Sequence, residues 1–369
     1  MSVYSERIAR VQEALRASHL GAAILAPSDQ MRYLTGWAEH GHERLIALFV
    51  PAAGEPAFIV PAMNAEQARE NPAGTLEVVG WSDEEGWQGG MRSLLERSGL
   101  NGRGIAIDDE LQAVHLLEIQ SLAPSAKCEA AGNLMSSLRE IKSADEIETM
   151  RRSGAITDSV YEESLAALKT GITELEFQEV IRQAYVKRGT KPEFALICFG
   201  ANSARPHHST GPTRLEDGDV VVIDIGCKLE DYASDITRTV VFGEPEPEAK
   251  RVYGVVYRAH RAAFEKIRPG ETCEEVDQAA RSVIEDEGYG EYFIHRTGHG
   301  IGLSTHEPPY IVAGNPQPLR EGMCFSDEPG IYLPGRFGVR IENIVTVTAA
   351  GAEYLNADAP DELVVVRNA

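Results

Sequence analysis

Acidic residues inside otherwise apolar strands restrict this chain more than any other feature. Residues 219–242 read DVVVIDIGCKLEDYASDITRTVVF, two strand-like runs in which Asp224 and Asp235 interrupt β-branched neighbours. Side chains alternate across a strand, so Asp224 shares a face with Val220 and Val222. An ionised carboxylate on a buried face is costly unless it is paired or bound to a metal. The same conflict recurs downstream. His299 lies between two glycines in RTGHGIG, Glu328 precedes the Pro-Gly turn of FSDEPGIY, and Glu342 follows Arg340 by two in GVRIEN. Each of these alone reads as a turn or a buried ion pair. As an ordered set, four carboxylates and one imidazole call for shared positive charge, and the fold must converge on it.

Donor type constrains the ion. Carboxylates with one imidazole favour hard or borderline divalent metals, Mn first, with Co, Zn or Fe as alternatives. Five donors exceed the needs of one open catalytic ion. They suit two ions that share carboxylates about 3.5–4 Å apart.

A chain of 369 residues leads to an expectation of two domains. Residues 1–132 alternate helix and strand patterns and read as an α/β domain. Its first helix is expected over about Ser5–Ser18 and another over Trp87–Ser98. Its strands are expected at Ala22–Ala26, Leu45–Val50, Ala57–Val60, Leu76–Val79 and Gly104–Ile107. Residues 133–369 read as an α+β domain that holds all five candidate ligands. Ser143 and Glu146 form a capping-box pattern there, and another helix is expected to begin at Thr173. Strands Val220–Ile225 and Ile236–Phe242 are expected to join through a turn containing Lys228–Asp231. Helices are expected over Pro247–Lys266 and Glu274–Glu287. The domain thus falls into two helix-plus-strand halves, with the site expected between them.

Charge excludes some functions. With 57 acidic and 35 basic residues the net charge is −22, which opposes binding to nucleic acid or to an anionic membrane. Five dispersed cysteines without a CxxC pair read as free buried thiols of a reducing compartment. The N-terminal segment has no continuous apolar run of the secretory kind, so a cytoplasmic protein is expected.

The motifs YLTGW, LREIKSADEIETMRRSGAI, ANSARPHHS, SDITRTVVFG, HRTGHGIGLSTHEPP, EPGIY and GVRIEN resemble the pita-bread (M24-type) metallopeptidases. The likeness is nearest to their prolidase and aminopeptidase P branch and extends over the whole chain. It implies a creatinase/prolidase-like N-terminal domain, a pita-bread catalytic domain and a homodimer, to which the tract His40–Arg44 is a candidate contributor. It implies that Asp224 chelates one ion, that Asp235 and Glu342 bridge the pair, and that His299 and Glu328 hold the other. It also implies that His306 contacts the scissile carbonyl or shuttles protons, and that Glu328 serves the leaving nitrogen. His207 resembles the substrate-pocket histidine, exchangeable with His208, and His295 a subsite wall. Tyr332 and Arg340 resemble residues that orient the bridging carboxylates. Tyr332, Phe194 and Phe199 are the aromatic candidates for a proline pocket.

The implied reaction is hydrolysis of the bond before proline, foremost in Xaa-Pro dipeptides. The alternatives are Xaa-Pro-Xaa peptides, an amidohydrolase or lyase reaction on a small osmolyte, or a binding protein without chemistry. A dipeptidase must neutralise the proline carboxylate. The loop in which many prolidases carry an arginine, IVAGNPQPLREGM, holds only Arg320. Arg44 is the substitute expected here, with Arg336 a second. Asp327 departs from the family, which usually has an apolar residue there. By alternation it points away from the ions.

Overall fold

A computed structural model of the chain describes residues 2–41, 43–100 and 102–367. His42, within the tract His40–Arg44, lies outside the described residues. The chain forms two compact units, Met1–Arg139 and Glu140–Ala369.

In the first unit, β1 (Leu20–Leu25), β2 (Ala47–Pro51), β3 (Ala57–Pro61), β4 (Glu77–Trp81), β5 (Gly104–Ile107) and β6 (Cys128–Ala130) form one mixed sheet. Their order is β4-β3-β2-β1-β5-β6. Strands β1, β2 and β3 are buried along their whole length, which is why they read as unbroken apolar runs rather than alternating ones. Helix Val3–Ala17 buries Ile8, Val11 and Leu15 at helical spacing. Helix Gln88–Ser98 does the same with Met91, Leu94 and Leu95.

The second unit contains two larger sheets. The first comprises β7 (Pro192–Phe199), β8 (Val220–Leu229), β9 (Tyr232–Ala233), β10 (Ile236–Phe242) and β18 (Val364–Val366), in the order β18-β10-β8-β7 with β9 paired to β8. The other comprises β11 (Gly298–Gly300), β12 (Glu307–Ile311), β13 (Cys324–Asp327), β16 (Asn343–Thr348) and β17 (Gly351–Tyr354), in the order β12-β11-β13-β16-β17. Between β13 and β16 the chain makes the hairpin β14 (Gly330–Leu333) and β15 (Phe337–Arg340). Helices Ala144–Leu165 and Glu174–Lys187 share a core with the first sheet, where Val160, Phe177 and Ile181 meet Ile223 and Ile236. Helices Pro247–Lys266 and Cys273–Asp286 share another with the second, where Val252, Val256 and Val276 meet Phe325 and Val345. Several hydrogen bonds stitch the halves together, one of them between backbones beside the acids. Glu342 N–H donates to Thr237 O at 3.1 Å, an isolated bridge from the β15–β16 connection to β10.

Several boundaries differ from the sequence reading. Strand β8 continues to Leu229, because Lys228 and Leu229 pair with Ala233 and Tyr232. The turn is reduced to Glu230 and Asp231, both at positive φ (48° and 70°). Helix Ala113–Leu122 and strand β7 are additional elements. All five cysteines are free, and all but the half-buried Cys128 are buried.

Helices Ala144–Leu165, Glu174–Lys187 and Cys273–Asp286 each begin with a reciprocal capping box, from Ser143/Glu146, Thr173/Glu176 and Thr272/Glu275. Thr272 accepts from Glu275 N–H, and its own N–H is held by the Glu275 carboxylate at 2.7 Å. Replacing Thr272 by Ala removes the hydroxyl acceptor and is expected to lower the unfolding free energy by about 1 kcal/mol. Urea unfolding of the two proteins measures this, and an unchanged midpoint would show that the cap contributes nothing.

Candidate metal centre

Strands β8 and β10 present the first two acids. Asp224 lies in β8, paired in register with Thr237 of β10, and Asp235 sits just before β10. His299 is the middle residue of β11. A Cβ on Gly298 would fall 1.8 Å from Ser326 O, and one on Gly300 2.3 Å from Pro308 O. Glycine on both sides therefore lets β11 press against its neighbours and bury the imidazole. Glu328 follows the end of β13, and Glu342 connects β15 to β16.

These five side chains line one cavity of about 590 Å³, together with Phe194, Ala195, Leu196, Pro206, His207, His295, Arg296, His306 and Arg340. Ligand atoms of Asp235, His299 and Glu342 all lie within 4.8 Å of one another. His299 Nε2 is 3.3 Å from Glu328 Oε1 and 3.8 Å from Asp235 Oδ2. His299 Nδ1 is 3.1 Å from Gly300 O, which only accepts. That nitrogen therefore carries the proton, and Nε2 turns its lone pair toward the acids.

The electrostatics favour a bound cation. Burial first, then the neighbouring acids (Glu342 beside Asp235, Glu328 beside Glu342), push the Asp235 and Glu342 carboxyls well above their ordinary range. Burial holds His299 neutral, with its pKa lowered to about 4. Asp224 Oδ1 and Asp235 Oδ1 are buried with no hydrogen-bond partner. Orphaned carboxylate oxygens next to a neutral imidazole fit divalent metal and are otherwise unfavourable.

A second layer fixes these groups. Thr237 Oγ1–H donates to Glu342 Oε2 at 2.6 Å and accepts from Arg340 Nε at 3.0 Å. Arg340 donates to Asp224 Oδ2 at 2.6 Å and to the Tyr332 hydroxyl at 2.8 Å. His295 Nδ1 is 2.7 Å from Arg296 O, so it carries the proton, and Nε2 accepts from Tyr332 Oη at 2.8 Å. The network runs in one direction, from Arg340 through Tyr332 and His295 to a backbone carbonyl. Ser326 Oγ accepts from His299 N–H at 2.9 Å and donates to Glu328 at 3.0 Å.

The other sequence candidates divide. His306 lies against His299 with ring centroids 4.0 Å apart, its pKa lowered to about 4 by burial and by His299. His207 faces the cavity, whereas His208 is bound to the buried Glu174 at 2.9 Å. Phe194 lines the cavity, but Phe199 is buried against Phe177. Tyr332 is buried behind the wall, its hydroxyl occupied by Arg340 and His295, so it does not line the cavity. Arg44 is clasped by Asp83 at 2.9 Å and Glu43 at 2.6 Å within the first unit. Asp327 points to His260, 3.8 Å away and equally buried. Burial raises the Asp327 carboxyl and lowers the His260 imidazole to about 3, leaving an uncharged pair. Sequence reasoning missed Thr237, Glu174 and Arg296. Thr237 alone left a trace, as a polar residue in an apolar strand.

Residues 148–349 match the sequence profile of metallopeptidase family M24, and residues 7–141 match the creatinase/prolidase N-terminal domain. The chain belongs to metallopeptidase family M24. Its second unit has the pita-bread fold of that family's catalytic domain. A probable dipeptidase PepE of Mycobacterium bovis is 40% identical over 368 residues, covering 99% of this chain and 97% of the relative. The crystal structure of dipeptidase PepE from Mycobacterium ulcerans gives a TM-score of 0.93 at 39% identity, covering 99% of this chain and 98% of that one. That of a prolidase from Thermococcus sibiricus gives 0.92 at 36% identity, covering 99% and 100%.

The charge argument gives a pH prediction for the metal-free protein. A carboxyl whose native pKa lies above its unfolded value binds more protons in the native state, so stability falls as pH rises toward the native pKa. The raised Asp235 pKa therefore makes the stability advantage of Asp235→Asn grow as pH rises above about 4. Thermal unfolding in chelator across that range measures it. Added divalent metal is expected to raise the wild-type Tm more than that of the variant. A difference independent of pH would show that burial does not strain this carboxyl.

Proposed function

We propose that this chain hydrolyses the Xaa-Pro bond of dipeptides with two divalent ions, Mn foremost. The observation that carries the reading is the donor set of Asp224, Asp235, His299, Glu328 and Glu342 along one cavity that also has apolar walls. The prolidase and dipeptidase names of the full-length relatives support the substrate class. In this reading Asp224 would serve one ion, His299 and Glu328 the other, and Asp235 and Glu342 both. When bound, the ions supply Lewis acidity at the scissile carbonyl and lower the pKa of water so that it attacks near neutral pH.

The side chains divide the remaining work. His306, neutral at physiological pH, donates a hydrogen bond to the oxygen on which charge develops. Glu328 takes a proton from the attacking water and returns it to the proline nitrogen. That nitrogen carries no N–H before cleavage. The substrate is therefore held by its ring, against His207, Phe194, Leu196 and Pro206, rather than by an amide hydrogen bond. His295 closes the subsite, held by Tyr332. Arg340 and Thr237 hold Asp224 and Glu342 in place.

The proposed setting is a homodimer in the cytoplasm. The free cysteines are in keeping with a reducing compartment. Among the described residues no helix is long and apolar enough to cross a membrane.

A turnover panel of Ala-Pro, Ala-Ala and Ala-Pro-Ala with added Mn tests the substrate. Ala-Pro is expected to lead, and cleavage of Ala-Ala at an equal rate would sink the proline assignment. Elemental analysis is expected to find about two ions per chain. His299→Ala should lose both metal and turnover. His306→Ala should retain metal but lower kcat by about 10²–10³-fold, as expected for loss of an oxyanion donor. Full activity of either variant in metal-replete buffer would refute its assignment.

A further inference from the structure

A dipeptide differs from a longer peptide by a free carboxylate on the residue after the scissile bond. Bringing that anion out of water into a cavity is costly unless a cation is placed to receive it. Most of the arginines considered for this task are already engaged. Arg340 is in the cavity wall, but its guanidinium is used by Asp224 at 2.6 Å, Tyr332 at 2.8 Å and Thr237 at 3.0 Å. Arg320, in the loop where a clamp was expected, is paired with the buried Glu140. Arg336 is held by Glu246 at 3.0 Å and Glu248 at 2.6 Å. Arg44 is held by Asp83 and Glu43.

Arg296 is different. It lines the same cavity as the five candidate ligands. Among the described residues no acid lies within ion-pair distance of it. Its guanidinium rests over the ring of Tyr310, 4.3 Å from the centroid. Tyr310 is the cross-strand partner of His299, so this platform belongs to the strand beside the metal centre. The Arg296 backbone is fixed as well, because its carbonyl ends the hydrogen-bond chain that runs from Arg340 through Tyr332 and His295. An aromatic face orients a guanidinium through cation–π attraction without consuming its N–H donors. Those donors remain available for a planar anion.

We propose that Arg296, stacked on Tyr310, receives the C-terminal carboxylate of the dipeptide and so sets the preference for two-residue substrates. This rests on the Xaa-Pro reading above and moves the clamp from the loop after His306 to the segment before His299. Selectivity then comes from electrostatics, because a third residue converts the recognised anion into a neutral amide.

The test uses the full-length, Mn-loaded enzyme with Ala-Pro and its C-terminal amide, Ala-Pro-NH2. The wild type is expected to favour the acid. Arg296→Gln should lower kcat/KM on Ala-Pro by about 10- to 100-fold, the loss expected for a charge-assisted hydrogen bond. Most of the change should appear in KM, and the amide should be affected far less, so the acid-to-amide ratio collapses. Arg296→Lys should restore part of the ratio as a point charge, and its thermal melting controls for folding. Equal losses on acid and amide in both variants would assign Arg296 a structural role and overturn the proposal. A ratio preserved in Arg296→Gln but lost in Arg44→Gln would overturn it in favour of Arg44. A wild type inert toward both compounds would overturn the Xaa-Pro reading itself, and this clamp with it.

Discussion

Repulsion among buried carboxylates is the constraint on which the second unit is built. Asp235 and Glu342 are each almost fully buried, and each meets other acids. Nothing about apolar packing favours such an arrangement, so the surrounding scaffold must hold it. Part of the restraint is Arg340, which offsets Asp224 directly, and part is Thr237, which joins Glu342 to Arg340 through one hydroxyl. The rest falls to bound cations. The two cores that sandwich the site, one under each sheet, supply the apolar burial that makes this concentration of charge tolerable.

The architecture explains why the donors are so far apart in the chain. Each half pairs two helices with one sheet, and each offers polar groups at the edge that meets the other. A hairpin gives Asp224 and Asp235, the middle of a short strand gives His299, and two strand ends give Glu328 and Glu342. The Thr237–Glu342 bridge is one of the hydrogen bonds that join the halves, and it lies inside the cluster itself. Assembly of the site and docking of the halves are therefore one event.

What could be read from the sequence follows from this physics. Acids and a histidine in apolar or glycine-rich strands are conspicuous because the local pattern gives no reason for them. Five such interruptions could be gathered before any coordinate was known. The helix Ala113–Leu122 was not legible, because its apolar residues leave no polar stripe to mark a period, and Val114 and Leu117 are in fact exposed. Strand β7 was hidden because Phe194 and Leu196 face the cavity rather than a core. Arginines were the hardest to place. Arg44, Arg296, Arg320 and Arg336 look alike in one dimension. Only the position of neighbouring acids separates an engaged guanidinium from an available one.

One contact far from the acids bears on how the molecule can be divided. Lys142, two residues beyond the first residue of the second unit, is buried and grips Glu307 at 2.8 Å. Glu307 adjoins His306, whose ring lies tilted against that of His299. The first residues of the second unit thus brace the loop that carries His306. A shortened protein that begins after Lys142 would lose the buried cation of that pair, and the disturbance would surface first at the imidazole next to it.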